Sequence, residues 1–410
     1  MTGFGRVSGA VLPRLRDDFE FVVLACNWHG DPVEEQKNFK MYPASNRFQQ
    51  APFGEDRIRE IVEREQPDVV FSLNDPWIVS EQYRRIEDLH RAGKFKFVGY
   101  LTMDSYNWLG GIDPHINEWD ALIAFTEFGA REFVKAGIHK PIAVIPHGLD
   151  SEVFYPIDKE EAREKLGLKK DIFIVLNGNR NQFRKRMDIT IAAFAKFAVG
   201  RPDAQLYMHM GLKDQGWDLM PLFAREMGKN GLDPNGRIIM TSNNPNPPNV
   251  STEMLNWIYN CADVGVNTTK GGGWELVNFE NAACRVAQVV PDHTSTKEVF
   301  EGHGELIRCD HIDVDTNYGR EMPCPSTEHL ATILEELYED RNKLSSVAQR
   351  CYDRVTDAQF SWDTIASQFG GIFEEVMSQG AQSKAESGAE LEVPKAVSKK
   401  KRMRRGYSFA

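Results

Sequence analysis

The sequence predicts an α/β protein built from two doubly wound domains. Three observations predict it. Short runs of β-branched and aromatic residues alternate with helical patterns along the chain, the alternation restarts from a fresh strand near residue 171, and glycine-bearing loops join strands to helices in both halves. In the first half, 19–25 (FEFVVLA), 68–73, 95–101, 121–125 and 142–145 read as strands, being short apolar runs. Helical patterns lie between them at 5–16, 55–66, 78–93 and 127–137. The second half repeats the scheme with strands at 171–176, 205–209, 237–241, 264–267 and 287–290, and helices at 160–166, 187–199, 252–261 and 275–284. A last helical pattern, 341–377, is interrupted at 360–363, where Ser361 is placed to cap a helix burying Ile365, Phe369 and Phe373. Beyond 379 the periodicity is lost, and the tail reads as disordered.

Composition narrows the function classes. Of 410 residues, 41% are hydrophobic and 27% charged, and 49 Lys+Arg against 60 Asp+Glu give a net charge of -11. Residues 381–410 carry eight Lys/Arg and three Asp/Glu, so the tail is +5 and the body is -16. An acidic body argues against a broad nucleic-acid footprint, and the basic run 399–405 reads as a solvated or membrane-surface tether. No stretch approaches the roughly 18 to 20 apolar residues of a membrane span, and the first residues lack the apolar core of a secretory signal, so a cytoplasmic chain is expected, peripheral to a membrane if the tail binds one. The six cysteines show no CxxC pair and the ten histidines no HExxH pattern, so no metal site is expected.

Four segments carry candidate chemistry. Residues 177–186 (NGNRNQFRKR) follow the first strand of the second half, and a cationic loop at the carboxyl end of a parallel strand is where an open α/β sheet binds phosphate. Arg180 offers a planar fork and Lys185 a compact charge, spaced to point at one diphosphate; a solvated basic loop fits the spacing equally well. Residues 267–280 run from a strand through Gly271, Gly272 and Gly273 into a helix, where backbone N–H groups can approach an anion. Glu280, in that helix, is suited to accept from a ribose diol, although a surface glutamate is the plainer reading. Gly3 and Gly5 open the first helix, and His147 closes a strand between the halves, as a ligand contact or as a linker histidine.

Taken in order, these segments resemble the retaining glycosyltransferases of the GT-B fold, in the large family of bacterial nucleotide-sugar hexosyltransferases called family four. The resemblance spans residues 2–375 through TGFGRVS, IAFTEFGAREFVKAGI with VIPHGLDSEVFYP, NGNRNQFRKRMD, STEMLNWIYNCADVGVNTT and GGGWELVNFENAAC. It implies two Rossmann-like domains facing a cleft, at 1–150 and 151–345, with helices at 346–378 crossing back to the first domain and a basic tail at 379–410. It further implies that Arg180 and Lys185 hold the diphosphate of a UDP- or GDP-sugar, that Gly273 and Trp274 cradle the sugar and phosphate, and that Glu280 binds ribose. Gly3 and Gly5 would close over the donor, with His147 reaching it, and Asp104 would face the acceptor. The implied reaction moves a hexosyl group to a hydroxyl of a glycan, lipid or small molecule with retention, and without a metal.

Three departures accompany the resemblance. Gly272 stands where the family carries the first glutamate of E-x7-E, and Glu275 where a glycine is expected, so either Glu275 substitutes or activity is altered. Thr102 and Met103 occupy the stretch where a histidine precedes the acceptor-side aspartate. The chain opens at the glycine-rich loop, so the first strand of a doubly wound sheet is missing, leaving two strand edges and an apolar trough. A natural start upstream, or a compromised domain, is the expectation. A silent GT-B nucleotide- or glycan-binding subunit and a sugar phosphorylase or epimerase are the alternatives.

Overall fold

The computed structural model describes residues 3–33, 36, 38–45, 51–108, 111–386 and 406–409. It divides into two compact units, one of Met1–Met103, Gly111–Gly148 and Trp362–Ala410, the other of Asp104–Gly110 and Leu149–Ser361. Thr2 and the basic run 399–405 fall outside the described residues.

The first unit contains β1 (Phe21–Ala25), β2 (Lys40–Pro43), β3 (Val69–Asn74), β4 (Lys96–Leu101), β5 (Ala121–Ala124) and β6 (Ile142–Val144). The second contains β7 (Phe173–Asn177), β8 (Ala204–Met208), β9 (Ile238–Met240), β10 (Val264–Val266), β11 (Ala287–Pro291), β12 (Glu305–Ile307), β13 (Cys309–Val314) and β14 (Glu321–Pro325), and β15 (Gly406–Phe409) belongs again to the first. Each strand read from an apolar run is present, with ends that differ from the reading by no more than two residues. Not anticipated were β2, whose residues are exposed or half-buried, and the short β12 to β14. The helix Leu219–Lys229 was also missed, because Pro221 sits in its first turn and masks the helical period.

The sheet of the first unit has the order β2-β1-β15-β3-β4-β5-β6, with every pairing parallel. Every residue of β1 and β3 is buried, as expected of parallel strands covered on both faces. The helix Gly3–Leu15 buries Val7, Val11, Leu12 and Leu15 and packs against the helix Trp362–Glu386, where Arg14 donates to Asp363 at 2.6 Å. Helix Trp362–Glu386 buries Ile365, Phe369 and Phe373 as the periodicity anticipates, and the rings of Phe369 and Phe373 stand 5.6 and 5.4 Å from Phe71.

Two expectations for this unit are corrected. The trough between the strands is filled: β15 runs parallel between β1 and β3, with Phe21 opposite Gly406 and Ser72 opposite Phe409, so the inner edges of both neighbours find backbone partners. The tail from 379 onward is accordingly ordered where described. Helix Trp362–Glu386 runs on through 379–386, a stretch rich in the helix formers Gln, Ala, Lys and Glu, and 406–409 is a strand.

In the second unit the order is β12-β11-β10-β7-β8-β9, all parallel, with β13 and β14 forming a separate antiparallel pair. Residues 104–108 belong here rather than with the first 103, because Tyr106 and Glu321 exchange both backbone hydrogen bonds at 2.9 Å. The helix Arg341–Val355 also stays with this unit, and only the chain from Trp362 joins the first.

Candidate functional site

The second unit has a point where its strand order reverses. From β7 the chain proceeds outward to β8 and β9, then returns to the other side of β7 as β10 and continues to β11 and β12. In open α/β sheets ligands bind outside the carboxyl ends of the strands at such a reversal. The loops that leave those two carboxyl ends are 178–186 after β7 and 267–275 after β10, which are the two richest segments of the sequence reading.

Both loops are pinned from below. Asn177 donates to Thr190 Oγ1 at 2.9 Å and its side-chain oxygen accepts from the Asn179 backbone at 3.0 Å. Asn181 donates to the carbonyls of Gly211, Lys213 and Trp217, at 3.2, 3.2 and 2.8 Å. Thr268 ties the loops together, its hydroxyl reaching the carbonyls of Lys185 and Arg186 at 3.0 and 2.9 Å. Arg184 donates to the Gly271 carbonyl, and the Gly272 carbonyl accepts from Ser295 at 2.7 Å. Such pinning holds a site's backbone before any ligand arrives.

The two cations expected to share one diphosphate have different partners. Arg180 is half-exposed and forks onto Asp214 at 2.6 and 3.1 Å, a hydrogen-bonded pairing that raises its pKa. Lys185 is buried, and its ammonium donates to both oxygens of Glu275 at 2.5 Å. Burial pulls Lys185 down to about 8 against the upward pull of Glu275, so it remains charged at neutral pH. Burial pushes the Glu275 carboxyl up, but the Lys185 and Arg184 cations outweigh it and hold the group below the usual carboxylate range. Asn267 donates to the same carboxylate at 2.9 Å.

Glu275 stands in the left-handed region, at φ 71 and ψ 61, just before the helix Leu276–Ala283. Trp274 is buried with its ring 5.2 Å from Phe279, and Gly273 is half-buried in the bend before it. Glu280 is not the surface glutamate of the plainer reading: it is buried, and Tyr259 donates to it at 3.2 Å. Asp104 lies in the same unit, within ion-pair range of Arg184 at 3.6 Å and Arg320 at 3.5 Å. The structure therefore joins Asp104, Arg184, Lys185, Gly271 and Glu275 in one connected set.

Gly3, Gly5 and His147 belong to the first unit. Both glycines form the first turn of helix Gly3–Leu15. His147 is buried, 4.4 Å from the ring of Phe125, and burial lowers it to about 3, so its imidazole is neutral.

Sequence reasoning missed Asn267 as a hub, and it missed His293 and Ser295. His293 is buried and lowered to about 4 by burial, with Nε2 3.0 Å from the Thr269 carbonyl. A usable signal existed, since each lies just past the carboxyl end of a parallel strand. The structure also brings His311, Asp313 and Cys324 together, with ligand atoms within 4.8 Å, because strand pairing sets His311 opposite Cys324. Lys270 already holds Asp313 at 2.8 Å and Arg186 donates to the Cys324 sulfur at 3.1 Å, while burial pushes that thiol up to about 11. Two cations on the ligand atoms make this an ion network rather than a cation site.

The chain is similar to several known proteins. The family model described as Glycosyltransferase Family 4 matches residues 2–153. A D-inositol 3-phosphate glycosyltransferase of Stackebrandtia nassauensis is 26% identical over 333 residues, covering 76% of this chain and 68% of that protein. One of the same name from Thermobispora bispora is 24% identical over 278 residues, covering 65% of this chain and 58% of its own length. Among solved structures, Anabaena HepE in complex with UDP and glucose superposes with a TM-score of 0.67 at 16% identity, covering 91% of this chain and 96% of that one. The sucrose-phosphate synthase of Thermosynechococcus elongatus gives 0.68 at 17% identity, covering 91% and 93%. The fold is GT-B. Among the described residues no helix is long and apolar enough to cross a membrane.

Proposed function

We propose that the chain is a glycosyltransferase of the GT-B type that moves a hexosyl group from a UDP-sugar to an acceptor hydroxyl with retention at the anomeric carbon. The observation that carries this reading is the meeting of loops 178–186 and 267–275 at the reversal point between β7 and β10. UDP is favoured over GDP because the Anabaena neighbour was solved with UDP and glucose. The names of the relatives favour a polyol phosphate as the acceptor class.

This chemistry asks for positioning and charge stabilisation more than for a side-chain base, since the departing phosphate can take the acceptor proton on the same face. The start of helix Leu276–Ala283 and the backbone of Gly273 and Trp274 favour negative charge there. Glu280, buried in that helix, is the acceptor for the ribose diol, and Arg180 and Arg184 are the guanidinium groups of the phosphate loop. The scheme routes no step through a metal.

A thermal-shift series with UDP, GDP and ADP tests the first half, because a ligand that binds the folded state raises the melting point by mass action. UDP is expected to stabilise most; no shift with any nucleoside diphosphate would end the reading. Incubation with UDP-hexoses and polyol phosphates, followed by NMR assignment of the anomeric centre, tests the second half. Retention of the donor configuration is expected, and inversion would overturn it. Binding without turnover or donor hydrolysis would favour a silent nucleotide-binding subunit, a reading supported by the closure of Lys185 onto Glu275.

A further inference from the structure

We propose that Asp214 is a positioning residue for the donor diphosphate, acting through Arg180: it holds the guanidinium side-on and leaves the opposite edge to meet phosphate oxygens. This rests on the glycosyltransferase reading above, in which Arg180 belongs to the phosphate loop. The holding group comes from outside that loop, in the segment 209–218 that leaves the carboxyl end of β8.

The two loops are joined rung by rung. Arg180 forks onto Asp214, Gln182 donates to Gln215 at 3.0 Å, and the ring of Phe183 stands 5.0 Å from that of Trp217. Backbone contacts follow the same order, with the Gln215 N–H donating to the Asn181 carbonyl at 3.2 Å and the Trp217 N–H to Asn181 Oδ1 at 3.1 Å. From its other side the segment is held by the loop after β9, where the N–H groups of Leu212 and Asp214 donate to the carbonyls of Asn244 and Pro245 at 3.0 and 2.8 Å. Asp214 therefore has a fixed backbone. Its carboxylate is only 6% exposed and has Arg180 as its side-chain partner.

The backbone at Asp214 carries strain. Its φ of 37 lies in the left-handed region, which glycine enters without a steric penalty, and strain of this kind persists at sites where the surroundings impose it. A glycine would fit that backbone more easily and supply no carboxylate. What the aspartate adds is the fork onto Arg180.

The fork also defines what remains for a ligand. It engages Nε and Nη2 of Arg180, the side-on edge of the guanidinium. The Nη1 group and the outer Nη2–H make up the end-on edge, a second fork that matches a pair of phosphate oxygens. Asp214 lowers the net charge of Arg180, which by itself weakens the pull on an anion. Arg180 is 49% exposed, however, so water and salt already screen that charge. The larger gain is order, because a long side chain in water gives up its rotamer freedom on gripping a ligand unless it is pinned beforehand.

The test uses UDP binding measured by calorimetry, with the melting temperature of each variant as the check on folding. Asp214→Gly removes the carboxylate and suits the positive φ, so it is expected to melt no lower than wild type and to bind UDP more weakly on the order of tenfold, the size of a lost charge-assisted hydrogen bond. Asp214→Asn keeps the shape and one neutral acceptor and is expected to lose less; it carries the same comparison if the glycine variant fails to fold. In an Arg180→Gln background, Asp214→Gly is expected to weaken UDP no further, since its effect passes through the guanidinium. Unchanged or tighter UDP binding in a folded Asp214 variant would overturn the inference, the second by showing that the carboxylate competes with the diphosphate. A further loss of similar size in the Arg180→Gln background would overturn it as well. Wild type binding no nucleoside diphosphate at all would instead sink the enzyme reading on which this stands.

Discussion

In the second unit, the six parallel strands are all drawn from one continuous stretch, β7 to β12, and each inner strand pairs with neighbours from that stretch. The first unit takes its strand between β1 and β3 from residues 406–409, beyond all of the second unit in sequence. The contrast teaches that the two sheets have different weak points. A sheet assembled from one stretch depends on packing within that stretch. A sheet whose inner strand arrives from the far end of the chain depends on a loop closure, which costs entropy and delays pairing.

The largest test of that contrast removes residues 406–410. Without β15 the facing edges of β1 and β3, both wholly buried, lose their backbone partners. The loss is expected to consume most of the roughly 5–15 kcal/mol that stabilises a domain, unfolding the first unit while the second persists. Hydrogen exchange read by mass spectrometry should show protection lost in 21–25 and 69–74 and kept in 173–177 and 264–266. Full protection in the truncated chain would break the comparison.

Acid sensitivity gives a second, smaller contrast. His147 in the first unit is lowered to about 3 and His293 in the second to about 4, in both cases chiefly by burial. A base with a depressed folded pKa leaves the unfolded chain binding the extra proton, so stability falls as pH drops below about 6.5, at up to about 1.4 kcal/mol per pH unit for each group. The decline runs to about pH 3 for His147 and about pH 4 for His293. His147→Phe should remove about one proton from the acid slope of the first unit and leave that of the second unchanged, measured by denaturant melts resolved by unit. An unchanged slope in the first unit would mean that the imidazole takes up its proton in the folded state.

The smallest expected effect compares two strand glycines. A Cβ at Gly99 of β4 would meet the Trp119 ring at 2.3 Å, and one at Gly265 of β10 would meet Asn281 Oδ1 at 2.0 Å and the Gln288 amide at 2.7 Å. Both alanine variants should destabilise by about 1–3 kcal/mol, the usual cost of overpacking. Gly265→Ala should cost more, because it also disturbs the buried Asn278–Gln288 and Gln288–Asn281 hydrogen bonds. Thermal denaturation of the two variants decides the order.

Much of the fold was legible because its strands are buried on both faces. β3, β4 and β7 announce themselves as short, mostly apolar runs, and the helix carrying Phe369 and Phe373 by its period. β2 was silent because its residues are only half-buried and begin with a lysine. Of the site, the two loops were legible from glycine, cations and their place after strands. The partner of each charge was not: Lys185 and Glu275 are 90 residues apart, and Arg180 and Asp214 are 34 apart.

The amino-acid order by itself determined the alternation of strands and helices, the reversal-point loops and the likeness to GT-B glycosyltransferases, because each is a local pattern of period, turn chemistry or motif. Tertiary structure alone decided that Glu275 folds over Gly272 onto Lys185, that Glu280 is buried, that Asp104 joins the second unit and that 406–409 completes the first sheet. These outcomes pair groups far apart in the chain. Which distant carboxylate meets a buried ammonium, and which remote strand meets an open edge, is settled by the need to satisfy buried charge and backbone together, and no local window of sequence contains both partners.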